Sequence, residues 1–340
     1  MASETSGDRF DAYVERLTSV IGHKDRHEPL RKYSTGLILP EGRKSVEPMA
    51  ARISPSRVSA EHQSLLHFVG QSSWKDGPVL GEALAYALPC IEEHGPIESW
   101  IVDDSGLPKK GKHSVGVANQ YCGVLGKNHN CQVSVSVSLA NEAASIPAAH
   151  RLYLPKSWAD DPNRRAVVGI PNDVAFARKW EIALSLIDAL LKNGEQIPRG
   201  SVLADPAYGD CFAFRGALTS RNLTYVLGVS CTTKVWREGE GPLPPEPYSG
   251  RGRRPKRVRR SGERQPVTGV QLARELPQAV WETVSWREGT EGTMTSRFAA
   301  VRVRPAHRDF LMTQSHAEEW LLIEWPAGEP EPTKYWLSTE

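Results

Sequence analysis

Apolar residues recur at intervals of three and four over residues 9–26, placing Phe10, Tyr13, Val14, Leu17 and Val20 on one helical face. Helical spacing returns at about 57–69. It returns again at about 78–94, where Leu80, Leu84, Leu88 and Ile91 align before Gly95-Pro96 closes the run. Residues 1–95 therefore read as a mainly helical N-terminal region. From residue 97 the period shortens to two. IESWIVDD is predicted as a strand ending in acid, CQVSVSVSLA as a half-exposed strand, and 149–154 as its neighbour. A long helix is predicted over DVAFARKWEIALSLIDALLKNG, opened near Asp173 and stopped at Gly194. SVLADPAYGD then repeats the sequence of apolar strand, aspartate and turn, followed by a helix at about 209–220 and the strand LTYVLGVS. That order calls for a mixed α/β sheet covered by helices.

Residues 237–269 break the pattern, being too rich in proline, glycine and charge to form a core. Short strands are predicted after them at about 280–286, 297–303, 308–313, 319–325 and 334–338. The chain of 340 residues is 39% hydrophobic and 24% charged, as a folded soluble protein would be, and its net charge of +2 does not select a partner. No apolar run approaches the roughly 18 to 20 residues that span a bilayer, so a membrane-spanning helix is not expected. The polar, acidic N-terminus is unlike a secretory signal, and an odd number of scattered cysteines favours a reducing, cytoplasmic setting.

Chemistry concentrates at two aspartates. Asp103 and Asp205 each end an apolar strand, the position where α/β sheets gather their sites. Carboxylates brought together repel unless a cation lies between them, and magnesium or manganese is the natural one. Asp104 is an alternative ligand to Asp103, and the plain structural reading of either is a turn-capping residue. The loop KKGKHS supplies Lys109, Lys110, Lys112 and His113, suited to phosphate contacts or simply to solvent. Cys122, His129 and Cys131 lack the paired spacing of a zinc site and read as core or surface residues. In RGRRPKRVRR, Arg251, Arg253, Arg254, Lys256, Arg257, Arg259 and Arg260 face solvent or a polyanion, with nothing expected to be buried. Trp236, Trp281 and Trp286 flank this region and read as packing residues.

The block DDSGLPKKGKHSVGVANQYCG, with ADPAYGD about a hundred residues on and WREGTEGTMTSRFAAVRVR later, resembles the DDE transposases of the IS701 insertion-sequence family. GLILPEGRKSVEPMA and LLHFVGQSSW upstream are similar to that family too. The resemblance implies an RNase H-like core related to the IS4 group, in which three acids hold two divalent ions (Mg²⁺ or Mn²⁺). Such an enzyme cleaves transposon ends and joins the 3′ ends to target double-stranded DNA, working as a homodimer on paired ends. It places the first acid on Asp103 (or Asp104) and the second on Asp205. It divides the chain into the helical region 1–95, the first part of the core at 96–232, a basic β-rich insertion at 233–333, and a returning core strand at 334–340. In the family the strand reading YWLS leads into a helix carrying the third acid in a pattern like RWxIE; here the sequence ends at Glu340, which falls too early for that role. Glu288 and Glu291 could substitute only by accident. The expectation is a truncated, catalytically crippled transposase, with a non-enzymatic DNA-binding remnant as the alternative.

Overall fold

A capping box opens the first helix: the Thr5 hydroxyl accepts from the Asp8 N–H while the Asp8 carboxylate accepts from the Thr5 N–H. The structure, a computed structural model, describes residues 5–39, 42–192, 197–289 and 292–340. Two compact units divide the chain: Met1–Pro96 with Asn141–Ala148, and Ile97–Ala140 with Ala149–Glu340.

The first unit holds α1 (Ser6–Val20), α2 (His27–Ile38), α3 (Val46–Ile53), α4 (Val58–Gly70) and α5 (Asp76–Glu92). The helix expected over 9–26 stops at Val20, because Gly22 takes a φ of 88° and Lys24–Arg26 form a separate 3₁₀ turn. The apolar segment after Pro29 is itself helical. Pro29 sits in the first turn of α2, where its missing N–H would have had no intrahelical partner. Gly36 then lets α3 approach α2, since a Cβ there would stand 2.9 Å from Met49 Sδ. Leu17, Ile21, Leu30 and Phe68 form the buried centre, with Trp74 stacked on Phe68 at 5.6 Å.

The second unit begins with β1 (Ser99–Pro108), β2 (Ala118–Cys122) and β3 (Lys127–Ala140), and takes β4 (Ser145–Leu152) from Ala149 onward. Short helices α6 (Lys156–Ala159) and α7 (Pro162–Val168) precede α8 (Lys179–Lys192). Then come β5 (Ser201–Ala204), α9 (Pro206–Gly209), α10 (Phe212–Thr219) and β6 (Tyr225–Val229). The remainder is β7 (Lys234–Trp236), β8 (Val267–Thr268), α11 (Gly269–Glu275), β9 (Glu282–Gly289), β10 (Gly292–Pro305), β11 (Glu319–Trp325) and β12 (Lys334–Ser338). One path through the sheet runs β2-β3-β1-β5-β6-β12-β11-β10-β7-β8. β1, β5 and β6 are mutually parallel and the pairings around them antiparallel, so the sheet is mixed, consistent with an RNase H-like arrangement. On one face Trp100 pairs with Val202 and Val202 with Tyr225, all buried. α8 packs against β3 and α10 against α8, burying Ile182, Ile187, Phe214 and Leu218. The strands after residue 281 continue this same sheet, and α11 adds Leu272 and Ala273 to a cluster with Val303, Ile323 and Leu337.

Several sequence expectations need correction. β1 does not end at the acids but runs on to Pro108, because β3 pairs with it along its whole length. The helix expected from Asp173 starts at Lys179, and its expected stop at Gly194 lies outside the described residues. The 209–220 helix is two pieces broken between Gly209 and Phe212. The strand expected at 149–154 is Ser145–Leu152. The segment 308–313 is no strand: Asp309–Leu311 is a 3₁₀ turn whose Asp309 is fully buried. Trp236 is buried and Trp281 packs edge-on against Trp325 at 5.3 Å, but Trp286 is 45% exposed. Among the described residues no helix is long and apolar enough to cross a membrane.

Candidate active site

The local sequence ADPAYG dictates the geometry at the end of β5. Asp205 caps α9, its Oδ1 accepting from the Ala207 N–H at 3.0 Å, and Pro206 occupies the first helical position, where φ is already set. The turn then lies directly on β6. A Cβ on Gly209 would stand 1.9 Å from the Gly228 carbonyl oxygen, and one on Gly228 would stand 2.8 Å from Pro206 Cδ. Two facing glycines thus fix where Asp205 sits.

β5 pairs with β1 only as far as Val102↔Ala204. Asp103 and Asp205 each come one residue beyond that last pair. They share the carboxyl edge of the parallel ladder even though β1 itself continues with β3. Side chains alternate along a strand, so Asp103 and Asp104 leave β1 on opposite faces. Asp103 is exposed, its Oδ1 accepting from the Asp104 N–H at 2.7 Å. Asp104 points to the face of Trp100 and Val102, and both of its oxygens are engaged. Oδ1 accepts from the Tyr208 hydroxyl and Oδ2 from Lys179 Nζ, each at 2.5 Å. Burial, with the Asp104, Asp205 and Asp103 charges, pushes the Tyr208 phenol far above its ordinary value, so it stays protonated and donates. The Asp205 carboxyl is also raised, first by burial and then by the charges of Asp103 and Asp104. The site is therefore an acid pair whose mutual repulsion is uncompensated, beside a third acid that is compensated.

Oxygen donors in that state fit a hard divalent cation. Asp103 and Asp205 are the residues that could hold one. Among the described residues no cluster of three or more His, Cys, Asp or Glu forms a ready metal cage. Glu340 lies elsewhere: its Oε1 accepts from the Ser201 hydroxyl, at the opposite end of β5 and roughly 13 Å from Asp205 by strand rise. Glu288 lies on β9, off the main path of the sheet, and Glu291 is outside the described residues. Cys122 and Cys131 are buried, with burial raising the Cys131 thiol, while His129 Nδ1 pairs with the Asn130 carbonyl.

The basic loop is not beside the acids. Because β1 runs on, Lys109 lies about 20 Å along the strand from Asp103. Asn130 Nδ2 donates to the carbonyls of Lys109 and Gly111, and Arg164 Nη2 to that of Lys112, fixing the loop, with Lys109 half-buried and Lys110, Lys112 and His113 exposed. In the arginine run, Arg251, Arg253, Arg254, Lys256, Arg257 and Arg259 are exposed as expected. Val258 and Arg260 are not. Val258 is buried, its N–H bonded to the Met312 carbonyl, and Arg260 pairs with the buried Asp309 at 2.7 Å. Lys179 and Tyr208, the partners of Asp104, were not singled out from sequence. Tyr208 stood inside ADPAYGD, but nothing in one dimension placed it against a residue a hundred positions earlier.

Sequence comparison supplies the family: the profile described as DDE superfamily endonuclease matches residues 16–293. The chain belongs to that family. Among individual proteins it is similar to the probable transposase for insertion sequence element IS701 of Microchaete diplosiphon, at 26% identity over 220 residues. That match takes in 64% of this chain, and it spans about half the length of the relative, 53%.

Proposed function

We propose that this chain carries the catalytic core of an IS701-like DNA transposase, acting on phosphodiester bonds at Asp103 and Asp205. The observation that carries the reading is the acid pair at the carboxyl edge of the parallel ladder, where burial and then the Asp103 and Asp104 charges raise the Asp205 carboxyl. A bound Mg²⁺ or Mn²⁺ would supply the charge that activates a water or a 3′-hydroxyl and stabilises the leaving oxygen. Asp205, anchored by its capping bond, would present its free oxygen to the metal, and Asp103 would supply the facing donor. Asp104 acts as a strut rather than a ligand, tying β1 to Tyr208 and Lys179. The exposed arginines from Arg251 to Arg259 would add salt-dependent affinity for the DNA backbone.

Mn²⁺ binding followed by electron paramagnetic resonance tests the assignment together with metal-dependent scission of a duplex bearing the element's ends. Asp103→Asn and Asp205→Asn are expected to abolish both; equal Mn²⁺ affinity in wild type and both variants would refute the site. The exposed arginine run also supports a reading as a DNA-binding protein without chemistry. That reading predicts metal-independent duplex binding that survives Asp205→Asn, with no scission by any form.

A further inference from the structure

A second polar cleft opens at the same edge of the sheet, with a volume of about 460 Å³. Its walls come from the turn after β6, from α10 and from the turn after β10. Cationic groups dominate it: Arg215, Lys234, Arg260, His307 and Arg308 line it, and Asp210 is the acid among them. Asp210 is already occupied, its Oδ1 accepting from the Ser230 N–H at 2.9 Å and the Thr233 hydroxyl at 3.1 Å. Arg260 is likewise paired, with Asp309. The positive charge of Lys234 and Arg308 is left over, and neither has an ion-pair partner within 4.0 Å among the described residues. Arg215 is 3% exposed; its Nη1 donates to the Gly209 carbonyl, and its Nε has no hydrogen-bond partner in the structure. Arg308 holds a left-handed backbone, with φ of 49°, unusual for a residue with a long side chain. Hydroxyls of Ser230, Thr232 and Thr233 line the same opening.

We propose that this cleft is a phosphate subsite that seats a backbone phosphate of the nucleic-acid strand passing Asp205. Lys234 and Arg308 stand exposed at the cleft and Arg215 lies buried with its Nε unpartnered, a set of donors suited to an anion, and a phosphate oxygen accepts from hydroxyls and cations together. Position supports the choice. Gly228 abuts Asp205, whose carbonyl carbon a Cβ on that glycine would approach to 3.2 Å, and Ser230 follows two residues later. The cleft mouth therefore lies on the order of 10 Å from the acid pair, within one or two nucleotide steps. The His307 imidazole reports the local field: burial, then Arg308, Arg215 and His316, hold its pKa below the ordinary value. His316 approaches from the turn before β11, its Nε2 3.1 Å from the His307 carbonyl oxygen, and Phe212 stacks on His307 at 5.5 Å.

The strand's path past Asp205 rests on the transposase reading; the anion subsite does not. Its test titrates the His307 imidazole by NMR, in the whole chain, with inorganic phosphate and with a short DNA duplex. Either anion is expected to raise the His307 pKa; no change with both overturns the subsite. In parallel, Lys234→Gln with Arg308→Asn is compared with wild type for duplex binding across salt, asparagine being chosen because it tolerates the left-handed backbone. Losing that one phosphate contact should flatten the slope of log K against log salt by about 0.9. Unchanged affinity and slope in this variant overturn the proposal. A wild-type chain that binds no duplex, with His307 still responding to phosphate, refutes the strand path and the transposase reading while the anion subsite stands.

Discussion

Replacing Lys179 with methionine removes the cation that holds Asp104 while keeping most of the aliphatic stem, whose Nζ lies 5.8 Å from the Tyr153 ring centroid. The two side chains are 32% and 20% exposed, so the pair lies between the exposed and buried limits. Exposed pairs contribute at most about 1 kcal/mol, whereas removing one partner of a fully buried pair costs about 3–5 kcal/mol. An intermediate loss of about 2 kcal/mol follows, since Asp104 would keep the Tyr208 bond but face the charges of Asp103 and Asp205 unaided. Hydrogen exchange of the β1 amides from Ile101 to Ser105 reads the loss where it arises. Their protection should fall roughly thirtyfold. Asp104→Asn in the same background should recover part of the loss, with a coupling of about 1.5 kcal/mol between the two positions. If the two single changes simply add, within about 0.5 kcal/mol, the strut does not exist and the reasoning fails.

Gly209→Ala drives a Cβ into the Gly228 carbonyl and should cost about 3 kcal/mol, visible as a large fall in thermal midpoint; an unchanged midpoint would mean the α9 turn is not seated as described. The raised Asp205 carboxyl binds its proton more tightly folded than unfolded, so its contribution to stability is present at low pH and is lost as pH rises from about 3.8 through the raised folded value. Asp205→Asn, which keeps the cap, should remove that dependence from the metal-free protein. Mg²⁺ at ten times its dissociation constant should stabilise the wild type by about 1.4 kcal/mol and leave this variant unmoved in a thermal shift. Arg260→Ala, which strips a buried Asp309 of its cation, should cost about 3 kcal/mol in urea unfolding. The exposed Arg257→Ala should cost under about 0.5 kcal/mol and instead flatten the salt dependence of duplex binding by about 0.9.

Asp103 and Asp205 could be picked out in one dimension because each follows a short apolar strand, and because ADPAYGD carries its own capping signal. The arginine run was legible as exposed charge for the same local reason. What failed were boundaries and partners. β1 looked finished at Asp104, since period-two hydrophobicity ends there; it continues because the valine–serine alternation of β3 offers a matching ladder down to Pro108. α2 was obscured by Pro29 and Gly36, residues that discourage helices in isolation but suit a first turn and a close helix contact.

The amino-acid order by itself determined which segments alternate with period two or three to four, where the acids stand relative to them, and where charge is too dense to bury. Those are properties of a residue and its near neighbours. Tertiary structure decided which acid keeps its charge uncompensated. Asp103 and Asp104 are adjacent and chemically identical, yet a strand's pleat sends them to opposite faces. Only the packing of α8 and α9 brings Lys179 and Tyr208 to one of them. The same pairing of distant segments buried Arg215 and gathered His307 and Arg308 around it, a concentration of charge to which sequence separation gives no clue.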